Sequence, residues 1–248
     1  MKVIIIGVLA VLLSLSVPFL DKTQSSTVLA QSRGAINRSR ISHRMVKVRR
    51  NGIRFPRITY YRDKGTMQLV NRQIDEVTKE FGCEDGVDRK RTSYEVRSRV
   101  AYAAKDVFSI YASASFYCGG QYPINDANIS VTFDLQTGKK VEFVDLFKNY
   151  EQDKANILKA IFARQVAKAD NLAASGKESD TTCEGDPGMF AIEHLTDSRY
   201  SYNFSKAGVV VQPDWPHVIE ACAERVTVPY NKLQGFAAPD GILARVMR

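Results

Sequence analysis

Residues 3–20 (VIIIGVLAVLLSLSVPFL) form an almost unbroken apolar run behind Lys2, and Val28-Leu29-Ala30 supplies a small-residue cleavage pattern ahead of Gln31. A positive start, an apolar stretch and a small-residue site make residues 1–30 a secretory signal peptide. Export constrains the fold because it delivers the chain's four cysteines, Cys83, Cys118, Cys183 and Cys222, to an oxidising compartment. The expected location is periplasmic or secreted, with no stable membrane span after cleavage. The run is also long enough for an uncleaved anchor. The positive charge that follows it would then hold the body in the cytoplasm.

Four cysteines allow three connectivities. Hairpin geometry favours Cys83 with Cys118 and Cys183 with Cys222. In each pair an antiparallel return brings the second cysteine back to the loop of the first. Closing loops of this length is worth about 3.5–4 kcal/mol by chain entropy. The absence of a Cys-x-x-Cys spacing argues against a redox pair.

The net charge of +8 is concentrated between Arg33 and Lys64, where Asp63 is the only acid. Such a composition suggests a flexible basic arm over residues 31–64. For an exported chain its counter-charge is an anionic envelope polymer or lipid rather than nucleic acid. A folded domain is expected over residues 65–238, and residues 239–248 read as a C-terminal tail.

Within the domain, Val70, Ile74, Val77 and Phe81 mark a helix over residues 67–81, with Thr66 as its N-cap. The period then drops to two. Tyr94, Val96, Val100 and Tyr102 share one face of a strand, and Phe108, Ile110, Ala112, Ala114 and Phe116 share one face of the next. A third strand carries Ile129, Val131, Phe133 and Leu135, turns at residues 136–139, and returns through Val141 and Phe143. Residues 144–147 look like a helical turn. Residues 151–174 read as one long helix, and residues 189–195, 200–204, 209–212 and 225–228 as strands. The class is α+β: an antiparallel sheet, a meander plus a later hairpin, with two main helices packed on it and two disulfides.

The blocks Phe108-Ser-Ile-Tyr-Ala-Ser113, Tyr117-Cys-Gly-Gly-Gln-Tyr-Pro123, Val131-Thr-Phe-Asp-Leu-Gln-Thr-Gly-Lys139 with Val144-Asp-Leu-Phe147, and Val226-Thr-Val-Pro-Tyr-Asn-Lys-Leu233 carry a resemblance. Residues 58–233 resemble the C-terminal extracytoplasmic domain of the lysozyme-sensing anti-sigma factors, which also occurs in exported proteins of unknown function and beside cell-wall deacetylase domains. Many relatives carry a Gly-Ala-His-Pro or Gly-Gly-His-Pro block where this chain has Gly119-Gly120-Gln121-Tyr122-Pro123, without the histidine. No cytoplasmic region precedes the apolar run, which argues against an anti-sigma role. The resemblance implies a domain outside the membrane that binds a partner protein, a lysozyme-type protein among the candidates, or a wall polymer.

No catalytic constellation stands out. There is no Gly-x-Ser-x-Gly turn, and the three histidines, His43, His194 and His217, have no metal spacing. No cofactor or metal is expected. The candidate binding residues are Tyr117, Gly119, Gly120, Gln121 and Tyr122, an aromatic rim on two glycines that let backbone approach closely, together with Trp215 and His217 in a Trp-Pro-His loop. The function expected is a non-catalytic binding module of the cell envelope. The alternatives are an envelope hydrolase or deacetylase using carboxylates and His217, and a structural or assembly protein.

Overall fold

The structure is a computed structural model that describes residues 40–48, 53–81, 93–117, 125–175, 188–220 and 222–248. The segment 1–30 and Cys83, Cys118 and Cys183 lie outside the described residues, as do Gly119, Gly120, Gln121 and Tyr122. Among the described residues no helix is long and apolar enough to cross a membrane, and no cysteine is a free thiol.

The α+β class holds, but the strands form three antiparallel sheets rather than one. The first falls within the segment expected to be a flexible arm, whose residues 42–47 and 54–60 are strands. Strands β1 (Ser42–Lys47) and β2 (Arg54–Tyr60) pair antiparallel, with Lys47 opposite Arg54. Between the arginines sit Ile53, Phe55, Ile58 and Tyr61, all buried. Each such side chain contributes roughly 1.5–3 kcal/mol on burial, enough to fold a segment whose charge alone reads as solvated.

Helix α1 (Lys64–Val77) starts earlier than expected. Asp63, not Thr66, is its N-cap: the Asp63 carboxylate accepts from the backbone N–H of Thr66 at 3.0 Å. Val70 and Ile74 are buried, as their spacing predicts.

Strands β3 (Ser93–Ala104), β4 (Val107–Tyr117), β5 (Asn125–Asp134) and the two-residue β6 (Lys139–Lys140) make the central sheet, in that order. The β3–β4 turn is two residues, Lys105 and Asp106, with φ of 50° and 58°. Positive φ at both positions matches the right-handed twist of a hairpin. Val100 faces Ile110 but Tyr102 faces Ser109, so Ala101 is an extra residue in β3. That bulge turns Tyr102 to the sheet face opposite Val96 and Val100, which a strict period of two does not anticipate.

The central sheet is covered on both faces. Phe108, Ile110, Ala112, Val131 and Phe133 pack against the β1–β2 hairpin and α1. On the other face Val107 and Tyr102 join a second cluster built from the remaining elements. A buried Ser109–Thr132 hydroxyl pair at 2.8 Å lies there, and Ser109 Oγ accepts from the backbone N–H of Phe204 at 3.3 Å.

The expected return strand through Phe143 is a 3-10 turn, Phe143–Leu146, closed by reciprocal Glu142 and Asp145 contacts. The single long helix is two: α2 (Tyr150–Ile161) and α3 (Ala163–Ser175). They break at Phe162, which is fully buried, so the change of direction sends its ring into the core. Residues 189–195 are not a strand, since α4 (Ile192–Asp197) buries Leu195 at helical spacing from Ile192. Short apolar runs carry no period long enough to separate the two readings.

Strands β7 (Arg199–Phe204), β8 (Val209–Asp214) and β9 (Val226–Val228) form the third sheet, in that order. The short helices α5 (His217–Glu220) and α6 (Tyr230–Leu233) flank β9. The expected tail is α7 (Ile242–Met247), with Ile242, Leu243 and Val246 buried. It is tied to the central sheet by Arg245, whose Nη2 lies 2.8 Å from Asp134 Oδ1, an ion pair held by charge rather than by an aligned hydrogen bond.

Candidate functional site

A groove of about 600 Å³ opens between the central sheet and the third sheet. Two strand edges border it. Strand β6 pairs with β5 only at Phe133 and Asp134, so among the described residues β5 has no strand partner on that side from Asn128 to Ser130. Strand β7, the outer strand of its own sheet, contributes Arg199 to Tyr202. The edge of a sheet presents backbone donors and acceptors that an extended segment can pair with.

The inner wall is aromatic. Phe143 makes ring contacts with Tyr150 at 5.8 Å, Tyr200 at 5.0 Å and Tyr202 at 6.0 Å. Tyr202 Oη donates to the Val141 carbonyl at 2.8 Å, and Tyr200 Oη donates to the Leu195 carbonyl. Burial pushes the Tyr150 phenol up to about 12, with the Glu151 carboxylate adding to the shift. Burial, then the charge of Tyr150, raises Tyr200 further, and burial raises Tyr202 well above its ordinary range. All three stay neutral phenols near neutral pH. They offer ring surface rather than a phenolate, and Tyr200 and Tyr202 already spend their single protons on backbone carbonyls.

The rim carries paired charges. Lys140 lies 3.2 Å from Glu142, and Arg199 lies 3.2 Å from Asp214. Lys154 sits over the Tyr150 ring at 5.8 Å, next to Glu151 in the lining. Three cations against three acids leave no net field to draw in an ion. With Ser130, Ser198 and Ser201 added, the lining suits a polar segment of low net charge. Among the described residues no group of three or more side chains is placed to hold a metal ion.

The sequence candidates fall elsewhere. Tyr117 ends β4, half-buried and opposite Ser93. Trp215 is not on an open loop. It is 6% exposed, T-shaped against Phe190 at 5.2 Å and in contact with His194 at 5.6 Å, and its Nε1 donates to Ser198 Oγ at 3.0 Å. A ring enclosed on these sides is a packed corner. His217 opens α5, and its side chain lies outside the described residues.

The groove residues had sequence signals that default to core packing. Tyr200 and Tyr202 alternate on a strand, and Phe143 and Tyr150 flank the 3-10 turn. Only the juxtaposition of two sheets separates a wall from a core.

No family model matches the chain, and no curated protein matches it. Two crystal structures are similar in fold. One is a DUF3298 family protein from Pseudomonas aeruginosa PAO1, with a TM-score of 0.44 and 11% identity, covering 81% of this chain and 94% of that one. The other is a member of the DUF3298 family from Bacteroides fragilis NCTC 9343, with a TM-score of 0.44 and 12% identity, covering 84% of this chain and 95% of that one.

Proposed function

We propose that the protein is an exported, non-catalytic binding module of the cell envelope whose groove receives an extended segment of a partner polypeptide. The observation that carries this reading is the pair of strand edges, β5 and β7, bordering one aromatic-walled groove. An extended peptide added to such an edge gains main-chain hydrogen bonds, and pockets beside it select side chains. The balanced rim of Lys140, Glu142, Arg199 and Asp214 supports a polar segment of low net charge over a small ion.

A wall polymer is the second reading. The aromatic wall and the serine hydroxyls favour it, because sugar rings combine an apolar face with many hydroxyls. The two bridges, Cys83–Cys118 and Cys183–Cys222, and cleavage ahead of Gln31 belong to the same proposal. Intact mass of the exported protein, with and without reduction, tests both.

The groove is tested with Ser201→Trp, which fills it from β7 without removing a core side chain. Residues 31–248, wild type and variant, are incubated with an envelope protein extract and separately with purified insoluble wall polymer. A polypeptide retained by the wild type and lost by the variant supports the reading. Wall polymer bound by the wild type and lost by the variant supports the second. Equal retention by both forms overturns the groove as the binding site.

A further inference from the structure

A second polar site lies on the central sheet, on the face toward β9, and the groove reading leaves it unused. Arg225, just ahead of β9, lays its guanidinium over the Tyr111 ring at 3.6 Å from the centroid. Arg99, directly opposite Tyr111 in the β3–β4 register, approaches the same ring at 5.5 Å. Tyr111 Oη donates to Asn128 Oδ1 at 2.8 Å, which fixes the ring. Asn203, 1% exposed, accepts from Arg225 Nη2 at 2.7 Å and from Ser130 Oγ at 3.3 Å. Its own amide donates to the Phe204 carbonyl at 3.0 Å.

Two features of this cluster point to a missing partner. First, two other arginines of this fold each pair with an acid, Arg57 with Asp75 and Arg62 with Asp106. Among the described residues neither Arg225 nor Arg99 has a carboxylate within ion-pair reach. The nearest acid in the network, Glu220, instead accepts from Asn128 Nδ2 at 3.3 Å. Second, two like charges are held against one ring. Burial is the main cause that shifts Arg225 downward; Tyr111 opposes the shift and the charge of Arg99 adds to it.

We propose that Arg225 and Arg99, held against Tyr111, form a binding site for the carboxylate of an acidic peptide. Stacking covers one face of the Arg225 guanidinium, and Asn203 takes Nη2. The remaining N–H groups point in the guanidinium plane, where the two oxygens of a planar carboxylate meet them side by side. A tetrahedral phosphate diester matches that flat fork less well. Arg99, exposed on β3, then closes over the second oxygen. The site shares Asn128 and Ser130 with the groove wall, but its two arginines lie outside that lining and it does not depend on the groove reading.

The test titrates residues 31–248 with a tetraglutamate peptide, a tetraglutamine peptide and glycerol phosphodiester at constant ionic strength, followed by calorimetry. Tetraglutamate binding is expected, with tetraglutamine inert and the phosphodiester weaker. A charge-assisted hydrogen bond lost on Arg225→Gln weakens binding about tenfold or more. Arg99→Gln removes only an exposed side chain, so it keeps the test valid should Arg225→Gln fail to fold. It is expected to weaken binding several-fold, and Ser201→Trp in the groove is expected to change nothing. No binding of tetraglutamate, equal binding by wild type and Arg99→Gln, or loss only in Ser201→Trp would each overturn the proposal. So would a preference for the phosphodiester.

Discussion

The side-chain amide of Asn71 closes a two-way hydrogen bond with the backbone of Ile58. Asn71 Oδ1 accepts from the Ile58 N–H at 3.0 Å, and Asn71 Nδ2 donates to the Ile58 carbonyl at 2.9 Å. A residue of α1 thereby imitates a neighbouring strand for β2 and locks the basic hairpin to the domain. Asn71→Leu strands both backbone groups, and each buried, unsatisfied group costs about 1–3 kcal/mol. A lowered urea midpoint with an unchanged slope is the expected result. An unchanged midpoint would show the hairpin to be held without this contact.

The hairpin's hydrophobic anchor is Phe55, fully buried and 5.5 Å from the Phe81 ring. Phe55→Ala is expected to cost about 3–5 kcal/mol. Exposed Arg54, its neighbour on the same strand, should tolerate Ala within about 0.5 kcal/mol. Chemical denaturation of the two variants separates a folded element from a solvated arm. Removing residues 31–64 to probe the basic charge would therefore remove core, and the charge is better tested by substitution.

Alkaline pH probes the links around Asp106. Tyr61 Oη donates to Asp106 Oδ1 at 3.1 Å, and Arg62 reaches Asp106 Oδ2 at 2.9 Å. Burial, then the Asp106 charge, pushes the Tyr61 phenol from 10.0 up to about 12. The raised value means the fold favours the protonated form. Its contribution to stability is complete below pH 10 and is lost as pH rises through about 12. Tyr150 has the same sign and window. Tyrosinate absorbance should show a late-titrating fraction that shrinks in Tyr61→Phe. Titration of every tyrosine together near pH 10 would contradict this.

Gly208 closes the β7–β8 hairpin against the backbone of β9. A Cβ added there would stand 2.0 Å from the Val228 carbonyl oxygen. Backbone cannot yield as a flexible side chain does, so Gly208→Ala should detach β9 or unfold the third sheet. The expected readout is faster amide exchange across residues 209–211, which face β9. Exchange at the wild-type rate would contradict the close approach.

Legibility in the sequence followed the length of the pattern. The β3–β4 and β7–β8 hairpins and the buried stripe of α1 were readable because alternation or helical spacing persists over enough residues to fix a period. The basic hairpin was not, because nine arginines and two lysines between Arg33 and Lys64 outweigh Ile53, Phe55 and Ile58 in any compositional reading. One extra residue at Ala101 sufficed to reverse Tyr102. The break at Phe162 lies inside a run that is uniformly good for helix. The groove and the Arg225 cluster join residues far apart in the chain, such as Tyr111 with Arg225. Local spacing holds no record of such neighbours.

The most direct measurement places a photo-crosslinking residue at Val144, exposed at 42% on the groove, and as a control at Leu69, exposed at 38% on α1. Both full-length forms are illuminated in cells that produce them, and the products are resolved by mass. A groove that receives a partner's extended segment predicts a discrete crosslinked polypeptide from Val144, absent from Leu69. Crosslinking of the same polypeptide from Leu69 but not from Val144 would contradict it.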